Sequence, residues 1–312
     1  MERITIGINT KNRPEALAVQ IHSIIHQTYP HWDLTILDCS DEPVADLELI
    51  RKLVELSNRL GHRTSISRNT EPGIPQTYQK LMEMSTTEFN VREEDDAPWH
   101  PEFLERLYEE MEKNPNLGAV GPNCANWNDV GKQLSTHPGT NFFYVTGNHV
   151  WPGKLGPVLV AGDIQGRNWT DTEPVPICVM HGGFMYRKSL LAKAGGFCTN
   201  LSTQGHKEET WASLRLFLSG ADMLFVPKAL RCHLELRTGG SRDKSVHNNR
   251  MELKMGDEVL FSAWILEVLQ SDNPRLAGMV IFSNDSLSTR VTPLQAYELL
   301  VKGNARFAGA RR

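Results

Sequence analysis

The chain has 312 residues, a formal net charge of −4 and a pI near 6.3, which excludes a global basic field able to hold nucleic acid or an anionic membrane. Its apolar and charged fractions, 40% and 22%, are ordinary for a soluble globular protein, and no apolar run approaches the ~18 residues of a membrane span. The five cysteines are scattered and none forms a CxxC pair, which argues for reduced thiols and a cytoplasmic location over a disulfide frame or a zinc site.

In chain order, Ile4 to Ile8 is predicted as a strand rather than a signal peptide. A polar loop, Asn9 to Arg13, follows, with Pro14 at the start of a helix carrying Leu17, Ile21, Ile24 and Ile25 on one face. Leu34 to Asp38 is a second strand that ends in another polar loop, Cys39 to Pro43. A helix over 45–60, a short strand at 64–67 and a helix over 76–84 come next. Glu88 to Val91 is the next strand, followed by a helix over 102–113 and a strand over 117–122. Residues 123–176 are rich in Gly, Asn, Pro and Trp and show no clear period; Trp127, Trp151 and Trp169 within them are more readily packing residues than stacking platforms. Periodic structure returns at 177–187, with a helix at 189–194, a helix over 210–219, a strand over 223–227 and a last apolar helix over 258–269. Strands alternating with helices imply an α/β fold, with a mainly parallel Rossmann-like sheet flanked by helices over residues 1–240 and a small, mainly helical extension over 241–312.

The chemistry concentrates at Glu93-Glu94-Asp95-Asp96, four carboxylates at the end of a predicted strand and the mouth of the loop beyond it. In open α/β sheets, ligands bind beyond the carboxyl ends of strands, so this segment and the loops after the first two strands should meet at one edge. Like charges packed there repel unless a cation joins them, and a hard divalent ion shared with substrate phosphates is the common solution. A solvated acidic turn that merely begins a helix is the plainer alternative.

The order of these segments resembles the GT-A-fold glycosyltransferases, most closely their family 2 group of inverting enzymes, over roughly residues 3–235. The resemblance is carried by Ile4 to Glu15, by Ser23 to Pro30, by Leu37 to Asp41 and by the acidic segment, which sits where the group has its metal motif. Gly182 to Arg187, Gly195-Gly196-Phe197, and Glu208-Glu209 six residues before Arg215 complete it. The resemblance implies transfer of a sugar from a nucleotide-sugar donor, UDP- or GDP-linked, to a carbohydrate or glycoconjugate acceptor with Mn²⁺ or Mg²⁺. By position it implies Asp96, Glu93 and His233 at the metal and Asp95 at the metal-diphosphate. Thr10, Lys11, Asp38 and Cys39 fall at the nucleoside, and Gly182 and Gly183 where backbone nears the donor sugar. Glu209, preferred over Glu208 by its offset to Arg215, takes the general base's position.

The sequence departs from the group at the nucleobase end. Asn9 and Lys11 stand where the pattern has Pro and Tyr, and Cys39 stands where it has a second Asp, so an aromatic platform and an acidic acceptor are both missing. Three other functions are weighed. Transfer to hydroxymethylated bases of viral DNA would draw on the basic stretches at 237–244 and 306–312. A nucleotidyltransferase would need a glycine-rich loop that Asn9 to Arg13 lacks. An inactive nucleotide-binding module would not need Asp95, Asp96 and Glu209 together.

Overall fold

The computed structural model describes residues 1–71, 73–126, 142–151, 154–161, 173–180, 182–234, 236, 238–240, 250–277, 280–283 and 290–291. Chain order gives β1 (Ile4–Thr10), α1 (Pro14–Ile25), β2 (Trp32–Asp38), a 3-10 turn at Val44–Asp46, α2 (Glu48–Arg59), β3 (Thr64–Arg68), α3 (Ile74–Met84), β4 (Phe89–Glu94) and α4 (Phe103–Lys113). There follow β5 (Leu117–Asn126), β6 (Phe142–Trp151), β7 (Lys154–Ala161), β8 (Val175–Pro176), β9 (Phe184–Arg187), α5 (Lys188–Lys193) and α6 (Glu208–Leu218). The chain closes with β10 (Asp222–His233), α7 (Arg250–Gln270), α8 (Pro274–Ala277), β11 (Val280–Ser283) and β12 (Arg290–Val291).

The main sheet has the order β3-β2-β1-β4-β9-β5-β10-β8. β3, β2, β1 and β4 are mutually parallel, β9 runs antiparallel between β4 and β5, β10 is parallel to β5, and β8 is antiparallel to β10. Helices cover both faces, so the central strands are buried on both sides and read as apolar runs; Ile4, Ile6 and Ile8 are fully buried. One core cluster lies between the sheet and α1 and α4, through Leu17, Ile21, Phe103 and Leu107. The other gathers α3, α5, α6 and α7, through Leu81, Leu191, Trp211 and Phe261. α7 therefore packs its Phe261 and Ile265 into the same core as the sheet.

The structure refines several expected boundaries. β4 runs three residues past Val91, so Glu93 and Glu94 lie within the strand rather than after it. The 177–187 stretch yields only the short β9, because Gly182, at φ +60, turns the backbone out of extended geometry; Ile177 to Met180 are buried without forming a strand. β10 is one long strand with a register shift between Val226 and Leu230. Pro227 falls inside that shift, where a missing N–H does least harm to the ladder. Within 123–176, β6 and β7 form an antiparallel pair in a second sheet of order β12-β11-β6-β7, so the C-terminal extension contributes strands as well as helices. Trp127 and Trp169 lie outside the described residues, and Trp151 ends β6. Among the described residues no helix is long and apolar enough to cross a membrane.

Candidate active site

The C-terminal ends of β1, β2, β4 and β10 open on one cleft of about 270 Å³. Its walls include Lys11, Arg13, Cys39, Glu94, Asp95, Asp96, Glu208, Glu209 and His233. β1 and β4 are neighbours in register, Asn9 opposite Glu94, which brings the loop after β1 against the acidic segment. The end of β10 joins from the other side: Leu234 N donates to Asp96 O at 2.9 Å and Cys232 N to Pro98 O at 3.0 Å, and these bonds carry His233 to Asp96.

Side chains alternate along a strand, and this separates Glu93 from Glu94, with Asp95 and Asp96 in the turn beyond. Glu94 faces the cleft. Glu93 faces the interior, fully buried, where it accepts from Trp99 Nε1 at 2.7 Å and from Arg231 Nη1 at 2.5 Å. The structure thus does not bring Glu93 to the cluster expected of it. The carboxylates and imidazole that converge are Glu94, Asp96 and His233, whose ligand atoms lie within 4.8 Å of one another. Two carboxylates and an imidazole fit a divalent cation such as Mn²⁺ or Mg²⁺. Extending the strand through Arg92-Glu93-Glu94 and applying its period of two is the sequence signal that singles out Glu94.

Arg13, nine-tenths buried, is a second residue the sequence reading passed over. Its Nη1 donates to Asp96 Oδ2 at 2.8 Å and to Asp95 Oδ1 at 3.2 Å, and its Nε donates to the Thr238 carbonyl at 2.8 Å. Thr10 Oγ1 donates to Asp95 Oδ2 at 2.8 Å. Burial and the charge of Asp96 still outweigh these partners and push Asp95 up to about 7. Burial also raises Asp96, but the hydrogen bond from His233 and the charges of Arg13 and Arg231 prevail, so its carboxyl lies below the usual range. His233 is raised: burial works against its charge, and the bond to Asp96 with the charge of Glu94 overcomes it.

At the nucleoside end, Lys11 Nζ donates to the Cys39 carbonyl at 3.0 Å and pairs with Asp41 at 3.2 Å. Cys39 lines the cleft, with its Sγ 3.5 Å from Asn9 Oδ1. Asp38 is fully buried and accepts from Ser40 N, Val44 N and Arg68 Nη1, at 2.9, 2.9 and 2.8 Å. Its carboxylate fastens the turn after β2. Gly182 and Gly183 sit beneath the cleft: a Cβ on Gly182 would lie 1.9 Å from Arg231 Nη2, and one on Gly183 2.3 Å from Glu93 Oε1. They make room for the buried Arg231–Glu93 pair.

At the opposite end, α6 opens with Glu208 and Glu209. Glu208 is buried and ion-paired with Arg92 of β4; burial pushes its carboxyl up to about 8, against the pull of Arg92. Glu209 is half-buried and reaches the cleft wall. The basic stretches weighed for nucleic acid, 241–244 and 306–312, lie outside the described residues, as does Arg237.

The sequence profile of glycosyl transferase family 2 matches residues 5–193, more than half of the chain. No curated protein sequence matches. Among solved structures, the chain is similar to PcManGT, a mannosyltransferase from Pyrobaculum calidifontis in complex with GDP-Man and Mn²⁺. The TM-score is 0.52 at 14% identity, over 99% of this chain and 76% of that one. It is also similar to S. aureus TarS 1-349 in complex with UDP-GlcNAc, with TM-score 0.56 at 12% identity, over 97% of this chain and 72% of that one. The profile match and the sheet order agree: the chain belongs to glycosyl transferase family 2 and is a glycosyltransferase built on the GT-A fold.

Proposed function

We propose that the protein transfers a sugar, with inversion and with a divalent cation, from a nucleoside-diphosphate donor to an acceptor hydroxyl in polysaccharide or glycoconjugate synthesis. The observation that carries this reading is the convergence of Glu94, Asp96 and His233 within 4.8 Å in the cleft whose far wall holds Glu209. One neighbour of this fold was solved with GDP-Man and Mn²⁺ and another with UDP-GlcNAc, which supports a donor of that class and leaves both bases open.

The residues divide the work along the cleft. Glu94, Asp96 and His233 would hold the cation, which neutralises charge on the leaving diphosphate when bound. Arg13 and Lys11, on the same side, add fixed positive charge where phosphate oxygens gain negative charge. Asp95, held by Thr10 and Arg13, is left for the donor's polar groups. Glu209 accepts the acceptor's proton as its oxygen bonds to the anomeric carbon. The bond from that carbon to the β-phosphate oxygen breaks, and the nucleoside diphosphate departs. A positioned base of this kind contributes about 10²–10⁴-fold. Asp96→Asn tests the reading: transfer, and donor hydrolysis without acceptor, should fall by about 10²–10³-fold. Equal turnover in variant and parent would sink it.

A further inference from the structure

α7 lies beyond the family match, yet it grips the cleft wall that leads into α6. Asp257, buried, accepts three hydrogen bonds from that wall: from Ser202 N at 2.6 Å, from Ser202 Oγ at 2.7 Å and from His206 N at 2.8 Å. Glu258 extends the same turn of α7, with Oε1 3.2 Å from Lys207 Nζ and Oε2 3.2 Å from His206 Nε2. One turn on, Phe261 offers its ring to Lys207 Nζ at 5.0 Å and meets Trp211 of α6 edge-on at 5.5 Å. Trp264 then stacks on Trp211 at 5.0 Å.

The held segment has an unusual backbone. Lys207 caps α6 in the left-handed region, at φ +67, a conformation that a lysine avoids unless its surroundings impose it. The next two residues are Glu208 and Glu209. The direction in which Glu209 leaves the loop is therefore set by a turn that the Lys207 side chain would not choose alone. The Glu258 carboxylate and the Phe261 ring fix that side chain on α7, while Asp257 fixes the backbone at His206 and Ser202, one and five residues upstream.

We infer that Asp257 and Glu258 are positioning residues for transfer: through Lys207 and the 202–206 loop, α7 sets the aim of Glu209 at the acceptor hydroxyl. This rests on Glu209 as base. A misplacement of about 1 Å in a reacting group can cost on the order of 10²-fold in rate, so a tether four carbons long is enough to matter.

The test measures steady-state transfer by the full chain for Glu258→Gln, Lys207→Gly and the double variant, beside Glu209→Gln. Glu258→Gln keeps the shape and removes the charge. Lys207→Gly suits the left-handed backbone and removes the tether without touching α7, so it reports even where α7 variants fold poorly. Each single variant should lose kcat by about 10- to 100-fold with donor KM within about twofold of the parent, and the double variant should lose no more than the worse single one, as expected for two ends of one tether. Unchanged kcat in both single variants, a raised donor KM with kcat intact, or losses that multiply in the double variant would overturn the inference. Glu209→Gln separates the two readings: full activity there removes the base itself. A dead Glu209→Gln beside active tether variants removes only the role of α7.

Discussion

Glu93 and Glu94 are the same residue type one peptide apart, and the pleat of β4 gives them opposite fates. Glu93→Ala would leave Arg231 buried, with Glu94 Oε2 at 3.9 Å as its remaining carboxylate. Breaking a buried pair from one side costs about 3–5 kcal/mol, so the urea midpoint should fall sharply. Glu94→Gln should leave that midpoint near the parent's and instead weaken Mn²⁺ binding, read by titration. A second residue-scale expectation concerns pH. The Glu208 carboxyl is pushed from an ordinary 4.5 up to about 8 in the fold, because burial disfavours its charge. The folded state therefore binds the extra proton between those values, and stability from this group, fully present below 4.5, is lost as pH rises through about 8. Denaturant unfolding from pH 5 to 8 should show the parent losing stability relative to Glu208→Gln. A difference that stays flat, or grows in the parent's favour, contradicts the assignment.

The elements themselves were legible because each carries its own period: the β1 and β2 runs, the α1 stripe of Leu17, Ile21 and Ile24, and the α4 stripe of Phe103, Leu107 and Met111 all match the sheet and its covering helices. What the sequence hides is tertiary. Asp38 looks like a ligand group, yet its carboxylate already accepts from three donors, two in its own turn and one on Arg68. Gly182 and Gly183 look like a place for substrate, yet the side chains nearest them are Glu93 and Arg231, the latter 48 residues on from Gly183 in β10. Gly183→Ala decides between these roles. Its Cβ would fall 2.3 Å from Glu93 Oε1, and Glu93 is held by Trp99 and Arg231, so it has nowhere to go. Overpacking of that sort costs about 1–3 kcal/mol, and the urea midpoint should drop while donor KM at 25 °C stays put. A raised donor KM at full stability would return the glycine to the donor site.

At the scale of the whole molecule, the cleft gathers many charges of both signs at close quarters. Glu94, Asp95, Asp96, Glu208 and Glu209 line it together with Lys11, Arg13, Arg92, Lys207, Lys254, His206 and His233; β1, β2 and β4 bring their share to one edge because parallel strands end together, and α6 adds Glu208 and Glu209. Such a site gains from a divalent cation and a diphosphate arriving together: the metal relieves the carboxylates, and the phosphates relieve the metal and the arginines. Stability should then depend on both at once. Ligand at about 100 times its dissociation constant adds about 2.7 kcal/mol, which for a domain of this size raises Tm by roughly 5 °C. A screen of UDP, GDP, CDP and TDP, each with and without Mn²⁺, should show a shift of that order for one diphosphate with Mn²⁺ and a much smaller one without it. Because the Asp38 carboxylate is engaged by the β2 turn and Arg68, Asp38→Asn should lower the Tm of the free protein through that turn, while leaving the ranking of the four bases as in the parent. A changed ranking would mean that Asp38 reads the base after all. Equal shifts with and without Mn²⁺ would mean that Arg13 and Lys11 alone hold the diphosphate, and that Glu94, Asp96 and His233 bind no cation in this enzyme.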